Sequence, residues 1–142
     1  MSTALPFEET VRVRFSDTDA QGHLYFANYL VYADEVAGSY MEELGFSAMN
    51  PQQAPCFIFT VNIQCDYLDE CKAHDDVKVR VGYTRLGNSS ADLAFELRRG
   101  HDNVELAKGQ LTQVFVDQST RKADGIPAEF RAAILDRQPE LG

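Results

Sequence analysis

Residues 28–44, NYLVYADEVAGSYMEEL, place Leu30, Ala33, Ala37, Tyr40, Met41 and Leu44 at spacings of three and four. That is the period of an α-helix with a wide apolar face. Glu35, Ser39, Glu42 and Glu43 leave only a narrow polar stripe, so the helix is expected to be enclosed by other structure. Gly45 follows it, a residue free to take the left-handed conformation that closes a helix.

Downstream the period changes to two. Between Cys56 and Leu68 the odd positions Phe57, Phe59, Val61, Ile63, Cys65 and Tyr67 are apolar, and Thr60, Asn62, Gln64 and Asp66 interleave, which predicts one long strand. At roughly 3.3 Å per residue it would reach about 40 Å, enough to curve around a helix. Val77, Val79, Val81 and Tyr83 repeat the alternation, as do Ala91, Leu93, Phe95 and Leu97. Residues 104–116 form a further strand whose apolar phase shifts around Ala107-Lys108-Gly109, predicting a bulge there. Gly87-Asn88 and Gly100-His101-Asp102-Asn103 supply turns, so successive strands run antiparallel.

Upstream, Val11-Arg12-Val13-Arg14-Phe15 predicts an opening strand and residues 16–23 a loop, while 127–137 form a short terminal helix. No repeat, charge block or low-complexity linker interrupts the chain, and the order strand, helix, four long strands is that of one α+β domain over residues 1–142. One helix cannot cover both faces of such a sheet, which leaves a face and edges for self-association.

The formal charge of −9 opposes binding to nucleic acid or an anionic lipid surface. The N-terminus MSTALPFEET carries neither a basic start nor an apolar run, and no stretch approaches a membrane span, so a cytoplasmic protein is expected. Cys56, Cys65 and Cys71 are odd in number, lack C-x-x-C spacing and read as reduced packing residues.

Chemistry concentrates in Asp17-Thr18-Asp19-Ala20-Gln21-Gly22-His23, between the first strand and the helix. Such acids commonly brace turns or favour a helix N-terminus. A carboxylate there also lies beside unpaired backbone N–H groups able to hold a developing oxyanion, and acyl transfer needs both elements. A D-x-D pair can ligate magnesium or calcium, but too few further oxygen ligands follow, and no metal or cofactor is expected.

The stretch from Asp17 to Tyr29 resembles the signature of the hot-dog-fold 4-hydroxybenzoyl-CoA thioesterase family, acyl-CoA thioesterases in which a long antiparallel sheet wraps a central helix. The resemblance extends loosely to the strand at 56–68 and the Gly87-Asn88-Ser89-Ser90 turn. It implies that Asp19, the second acid of the pair, is the catalytic carboxylate. It also implies that the backbone N–H of Phe26 polarises the thioester carbonyl. His23 is a candidate helper, and Asp17 is expected to stabilise the loop. Other hot-dog enzymes place the acid on the central helix, which makes Asp34 and Glu35 the rivals. The sequence mixes two subgroup patterns, with Phe26 where some members carry histidine and Gly22-His23 as in another subgroup, so the acyl group is not transferable from either.

Tyr25, Asn28, Arg85, Ser89, Arg98 and Arg99 are expected to contact substrate, the arginines because an acidic protein must meet phosphates with local cations. The arginines, with Lys108, would meet the phosphates of coenzyme A; an acyl-carrier-protein thioester is the alternative carrier. Two classes of function follow: a thioesterase with Asp19 as nucleophile or general base, or a regulatory module that binds an acyl thioester without turning it over. A homodimer or homotetramer is expected.

Overall fold

A computed structural model describes residues 5–46 and 56–142; the first four residues of the N-terminal stretch lie outside it. Five strands, β1 (Phe7–Arg12), β2 (Phe57–Tyr67), β3 (Asp76–Leu86), β4 (Ser90–Arg99) and β5 (Glu105–Val116), form one antiparallel sheet in the order β1-β3-β4-β5-β2. The long helix α1 (Phe26–Glu43) packs its buried Tyr29, Tyr32, Ala33, Val36, Ala37, Tyr40 and Met41 on one face of that sheet. This is the expected hot-dog arrangement. Leu44 and Gly45 end α1 in a Schellman motif: Gly45, at φ +91°, donates to Glu42 O and Phe46 donates to Met41 O. Helix α2 (Ala128–Arg137) closes one end, with Phe130 against Phe46, Tyr83 and Phe115.

Three expectations need correction. The opening strand is β1 at 7–12, not 11–15. Its ladder on β3 stops where Arg12 meets Asp76, the first residue of β3, so the chain turns into a short 3-10 helix (Phe15–Asp17) and Phe15 is left 80% exposed. The bulge of β5 falls one residue before the expected triplet, at Leu106, which lies unmatched between Glu105 and Ala107 against Arg98 and Leu97. Gly109 instead allows a close approach of neighbouring strands, since a Cβ there would collide with the Gln64 carbonyl and come within 2.6 Å of Phe95 Cζ.

The third correction concerns β2. Register breaks between Thr60 and Asn62, so Val61 is an extra residue. Because side chains alternate faces, one insertion reverses the phase. Ile58 opposes buried Phe115, and beyond the bulge Ile63 opposes buried Leu111, so Ile63, Cys65 and Tyr67 face α1 while Phe59, opposite Val114, faces away. The odd apolar positions therefore do not share one face.

A further bulge lies at Thr84 in β3, and the buried Gln138 amide satisfies the neighbouring Tyr83 backbone: Tyr83 N donates to Gln138 Oε1 (2.9 Å) and Gln138 Nε2 donates to Tyr83 O (2.7 Å). Gly109→Ala is expected to lower stability by about 1–3 kcal/mol, the usual cost of overpacking. Urea denaturation checks this, with a midpoint near wild type as the contrary result.

Candidate active site

The loop before α1 is built on Asp17. Its carboxylate accepts from Arg14 Nη2 (3.1 Å), Arg14 Nε (3.3 Å) and the Tyr32 hydroxyl (2.6 Å). Its carbonyl accepts from Tyr25 N (3.0 Å) and from the Asn28 side-chain amide (2.9 Å). One residue thus ties the chain before the loop to the first two turns of the helix. The Arg14 guanidinium, then the Tyr32 hydroxyl, hold the Asp17 carboxyl below the usual carboxylate range; burial and that same bond push the Tyr32 hydroxyl up. Asp17 is a bracing acid, as expected of it.

Asp19 is presented differently. Its N–H donates to His23 O (2.9 Å), Gly22 N donates to Asp19 O (3.0 Å) and Thr18 bridges Leu24, so residues 19–22 form a tight turn. Gly22 takes φ +81°, a conformation favouring glycine. Gln21 N donates to Asp19 Oδ1 (2.9 Å), which fixes the carboxylate while the residue stays exposed to solvent. Only the backbone of His23 meets Asp19; its imidazole pairs with Glu70 (3.3 Å).

Immediately after this turn α1 begins without a side-chain cap on Tyr25. Tyr25 N–H is taken by Asp17 and Asn28 N–H by the Tyr25 carbonyl, but no acceptor among the described residues takes the N–H of Phe26 or Ala27. Free N–H groups at a helix start carry partial positive charge and favour an anion. Tyr67 at the end of β2 locks this entrance, its hydroxyl donating to Phe26 O (3.0 Å), and rings of Tyr25, Phe26, Tyr29 and Tyr67 pack together. Phe26 remains 59% exposed. A carboxylate fixed in the turn before a helix start that has two N–H groups without acceptors among the described residues and exposed rings of Tyr25, Phe26 and Tyr67 supplies the elements that attack on a carbonyl bound to an apolar group needs.

The family model of the thioesterase-like superfamily matches residues 13–134. The chain belongs to that superfamily. This thioesterase-like protein is 28% identical to the acyl-CoA thioesterase YbgC of Haemophilus influenzae, over 89% of this chain and 93% of that one. It is 30% identical to a 1,4-dihydroxy-2-naphthoyl-CoA hydrolase of Nostoc punctiforme, over 83% and 79%. Its fold matches that of a Staphylococcus aureus protein, SAV2348, solved in complex with coenzyme A, with a TM-score of 0.88, 20% identity and coverage of 100% and 89%.

The other expected residues of this thioesterase-like protein are dispersed. Asp34 and Glu35 sit more than two turns into α1, lining a groove of about 630 Å³ with Gly38, Ile58, Thr60 and Gln113; desolvation raises the Asp34 pKa. Arg85 and Ser89 lie at the β3–β4 turn. Arg98 and Arg99 lie at the far end of β4, about 30 Å away at roughly 3.3 Å per residue. All three arginines already hold carboxylates: Arg85 that of Asp92 (2.8 Å), Arg98 those of Glu96 and Glu105, Arg99 that of Asp102 (2.9 Å). Lys108 is 3.8 Å from Glu105 on the face away from α1.

Arg14, Tyr32 and Tyr67 were not singled out by sequence. Tyr32 shows only as a residue within the helix, outside the apolar set read from its period, and the Tyr67–Phe26 contact spans 41 positions with no local signal.

Tyr32→Phe is expected to cost about 1.5–3 kcal/mol near neutral pH, the range for a hydrogen bond to a charged group. Asp17 titrates below its ordinary 3.8 in the fold. The stability it contributes is therefore present above that value and lost as pH falls through the depressed one. The gap between Tyr32→Phe and wild type should narrow below pH 3.8. Denaturation midpoints across that range test it; a pH-independent gap contradicts it.

Proposed function

We propose that the protein hydrolyses an acyl-CoA thioester to free acid and thiol, with Asp19 as the reacting carboxylate and the N–H of Phe26, at the start of α1, holding the carbonyl oxygen. The observation that carries this is an exposed, turn-fixed carboxylate in the loop before a helix start where the N–H groups of Phe26 and Ala27 have no acceptor among the described residues. Superfamily membership and relatives named as acyl-CoA thioesterase and 1,4-dihydroxy-2-naphthoyl-CoA hydrolase support it.

As general base, Asp19 takes a proton from water as its oxygen attacks the carbonyl carbon. The tetrahedral oxyanion rests on the helix amides, then collapses with cleavage of the carbon–sulfur bond, and the thiolate takes up the proton. As nucleophile, Asp19 itself displaces the thiolate, and water then cleaves the mixed anhydride. In each route one water is consumed, and acid and thiol leave. His23, held by Glu70, stands at the edge of the turn as a helper.

The working unit is proposed to be a pair of chains joined edge to edge through β2, which alone would not unite two such pairs into a tetramer. β1, the other edge, carries Glu8, Glu9 and Thr10, charged and polar groups that discourage strand addition. β2 instead presents Phe59, Val61, Ile63 and Tyr67 along eleven residues, with Val61 60% exposed. An apolar edge of this length is an aggregation hazard unless a partner covers it. Two copies related by a two-fold axis would pair β2 antiparallel, the Phe57 end of one beside the Tyr67 end of the other. The groove that holds Ile58 and Thr60 would then face the second copy's helix entrance and could receive the acyl group.

Asp19→Asn keeps the turn, because an amide oxygen still accepts from Gln21 N. It should lower kcat by about 10²–10⁴-fold or more while coenzyme A binding persists. Release of free thiol from a panel of short, long and aromatic acyl-CoAs is the assay. Near-native kcat in Asp19→Asn would move the role to Asp34 or Glu35, and tight binding without turnover by the wild type would make the protein a binding module.

Light scattering of the wild type should give at least twice the chain mass of 15.9 kDa. The double variant Val61→Glu/Ile63→Lys should run as a single chain and lose activity. Full activity in a monomer contradicts the paired site.

A further inference from the structure

The cations expected to meet coenzyme A are already neutralised, which leaves an acidic protein of net charge −9 to hold a ligand rich in phosphate. Arg121 and Lys122 are different. They lie on the turn after β5, and among the described residues neither has a carboxylate partner.

That turn is rigid. The Asp117 carboxylate accepts from Ser119 N and Thr120 N (both 2.8 Å), Arg121 N donates to Asp117 O (2.9 Å) and Asp117 N donates to Lys122 O (3.0 Å). These N–H groups hold the Asp117 carboxyl below the usual range, so that carboxylate is engaged by its own backbone. The Asp124 carboxylate likewise accepts from Gly125 N (2.9 Å). Arg121 takes φ +62°, unusual for a residue with a side chain, and its guanidinium lies over the Phe57 ring at 5.2 Å. The turn therefore offers two cations that have no carboxylate partner among the described residues, and Arg121 is held against the first residue of β2.

Position along β2 makes them useful. Phe57 and Tyr67 stand at opposite ends of the strand, about 33 Å apart at roughly 3.3 Å per residue, beyond the reach of a pantetheine arm. Antiparallel pairing of two β2 edges removes that distance: the Phe57 end carrying Arg121 comes beside the second copy's Tyr67, whose hydroxyl grips the helix entrance.

We propose that Arg121 and Lys122 of one copy bind the phosphates of the coenzyme A whose thioester is attacked by Asp19 of the other. The proposal rests on the thioesterase reading and on pairing through β2.

Free coenzyme A is the probe, measured by titration calorimetry on the intact protein. Arg121→Glu/Lys122→Glu should weaken its binding by about tenfold or more, with a smaller loss in Arg121→Gln/Lys122→Gln. The wild-type affinity should fall with added salt more steeply than that of either variant. Arg85→Gln, which removes a cation already paired, should stay within about twofold of wild type. Unchanged affinity in both double variants overturns the proposal and leaves the thioesterase reading standing. A wild type that binds no coenzyme A overturns the acyl-CoA reading itself.

Mixing Asp19→Asn chains with Arg121→Glu/Lys122→Glu chains should restore one intact site per mixed pair, recovering the wild-type KM for a hydrolysed acyl-CoA. Failure to recover it places the phosphate site in the same chain as Asp19 and overturns the proposal.

Discussion

A sheet of five strands cannot bury one helix on a single face unless it curves, and curvature here comes from single inserted residues and one missing side chain. Leu106, Val61 and Thr84 each add a residue against an uninterrupted neighbour, and Gly109 lets the β2 backbone and the Phe95 ring close on β5 where a methyl would not fit. Each bulge bends its strand and sharpens the local twist. The bulge at Val61 does most for function. By reversing the face of β2 it turns Tyr67 inward to the start of α1, where its hydroxyl fixes the Phe26 carbonyl. It also leaves the middle of β2 apolar and uncovered.

The two acids of the D-x-D pair differ sharply in their contacts. Asp17 is buried and surrounded by donors on side chain and carbonyl alike, so its charge is consumed in joining loop to helix. Asp19 receives one backbone N–H on its carboxylate and is otherwise open to solvent. A group meant to exchange a proton or form a bond with a substrate has to keep lone pairs free, and a group meant to hold a loop has to use them. The close sequence spacing is workable because the 3-10 turn at Phe15–Asp17 directs one acid inward before the Gly22 turn directs the other outward.

Much of the fold was legible because its signals are local. The 3.6-residue period of α1, its glycine stop, the alternation of β3 and β4 and the turns between strands depend on neighbours in sequence. What was illegible depends on partners. β1 ends where β3 runs out, although Val13-Arg14-Phe15 continues the alternation. The phase reversal at Val61 leaves no mark in a strand whose odd positions remain apolar throughout; only the register against β5 reveals it. At the candidate site, the motif marks Asp19 and the helix entrance as the residues proposed to act, whereas Tyr32 and Tyr67 reach their partners through the fold. Arg85, Arg98 and Arg99 were attractive as phosphate ligands on charge alone; register brings Asp92 to Arg85 and Glu105 to Arg98 from the neighbouring strand, and the turn after β4 brings Asp102 to Arg99.

That last point has a general basis. On the face of the sheet away from α1, cross-strand register lines up Glu8, Arg80, Glu96, Lys108 and Asp66, alternating in sign over all five strands. Opposed charges of this kind stabilise neighbouring strands modestly and keep an exposed face soluble. A cation in such a row is a poor anion receptor, since a ligand phosphate would have to displace a carboxylate already held at close range. A turn, where no strand lies opposite, is one place where a cation escapes such pairing. The turn that satisfies this condition beside β2 is also one whose backbone hydrogen bonds occupy its own aspartate. In the proposed assembly, excess negative charge over the rest of the surface would repel a polyphosphate ligand from most of the molecule and favour cations that have no carboxylate partner among the described residues.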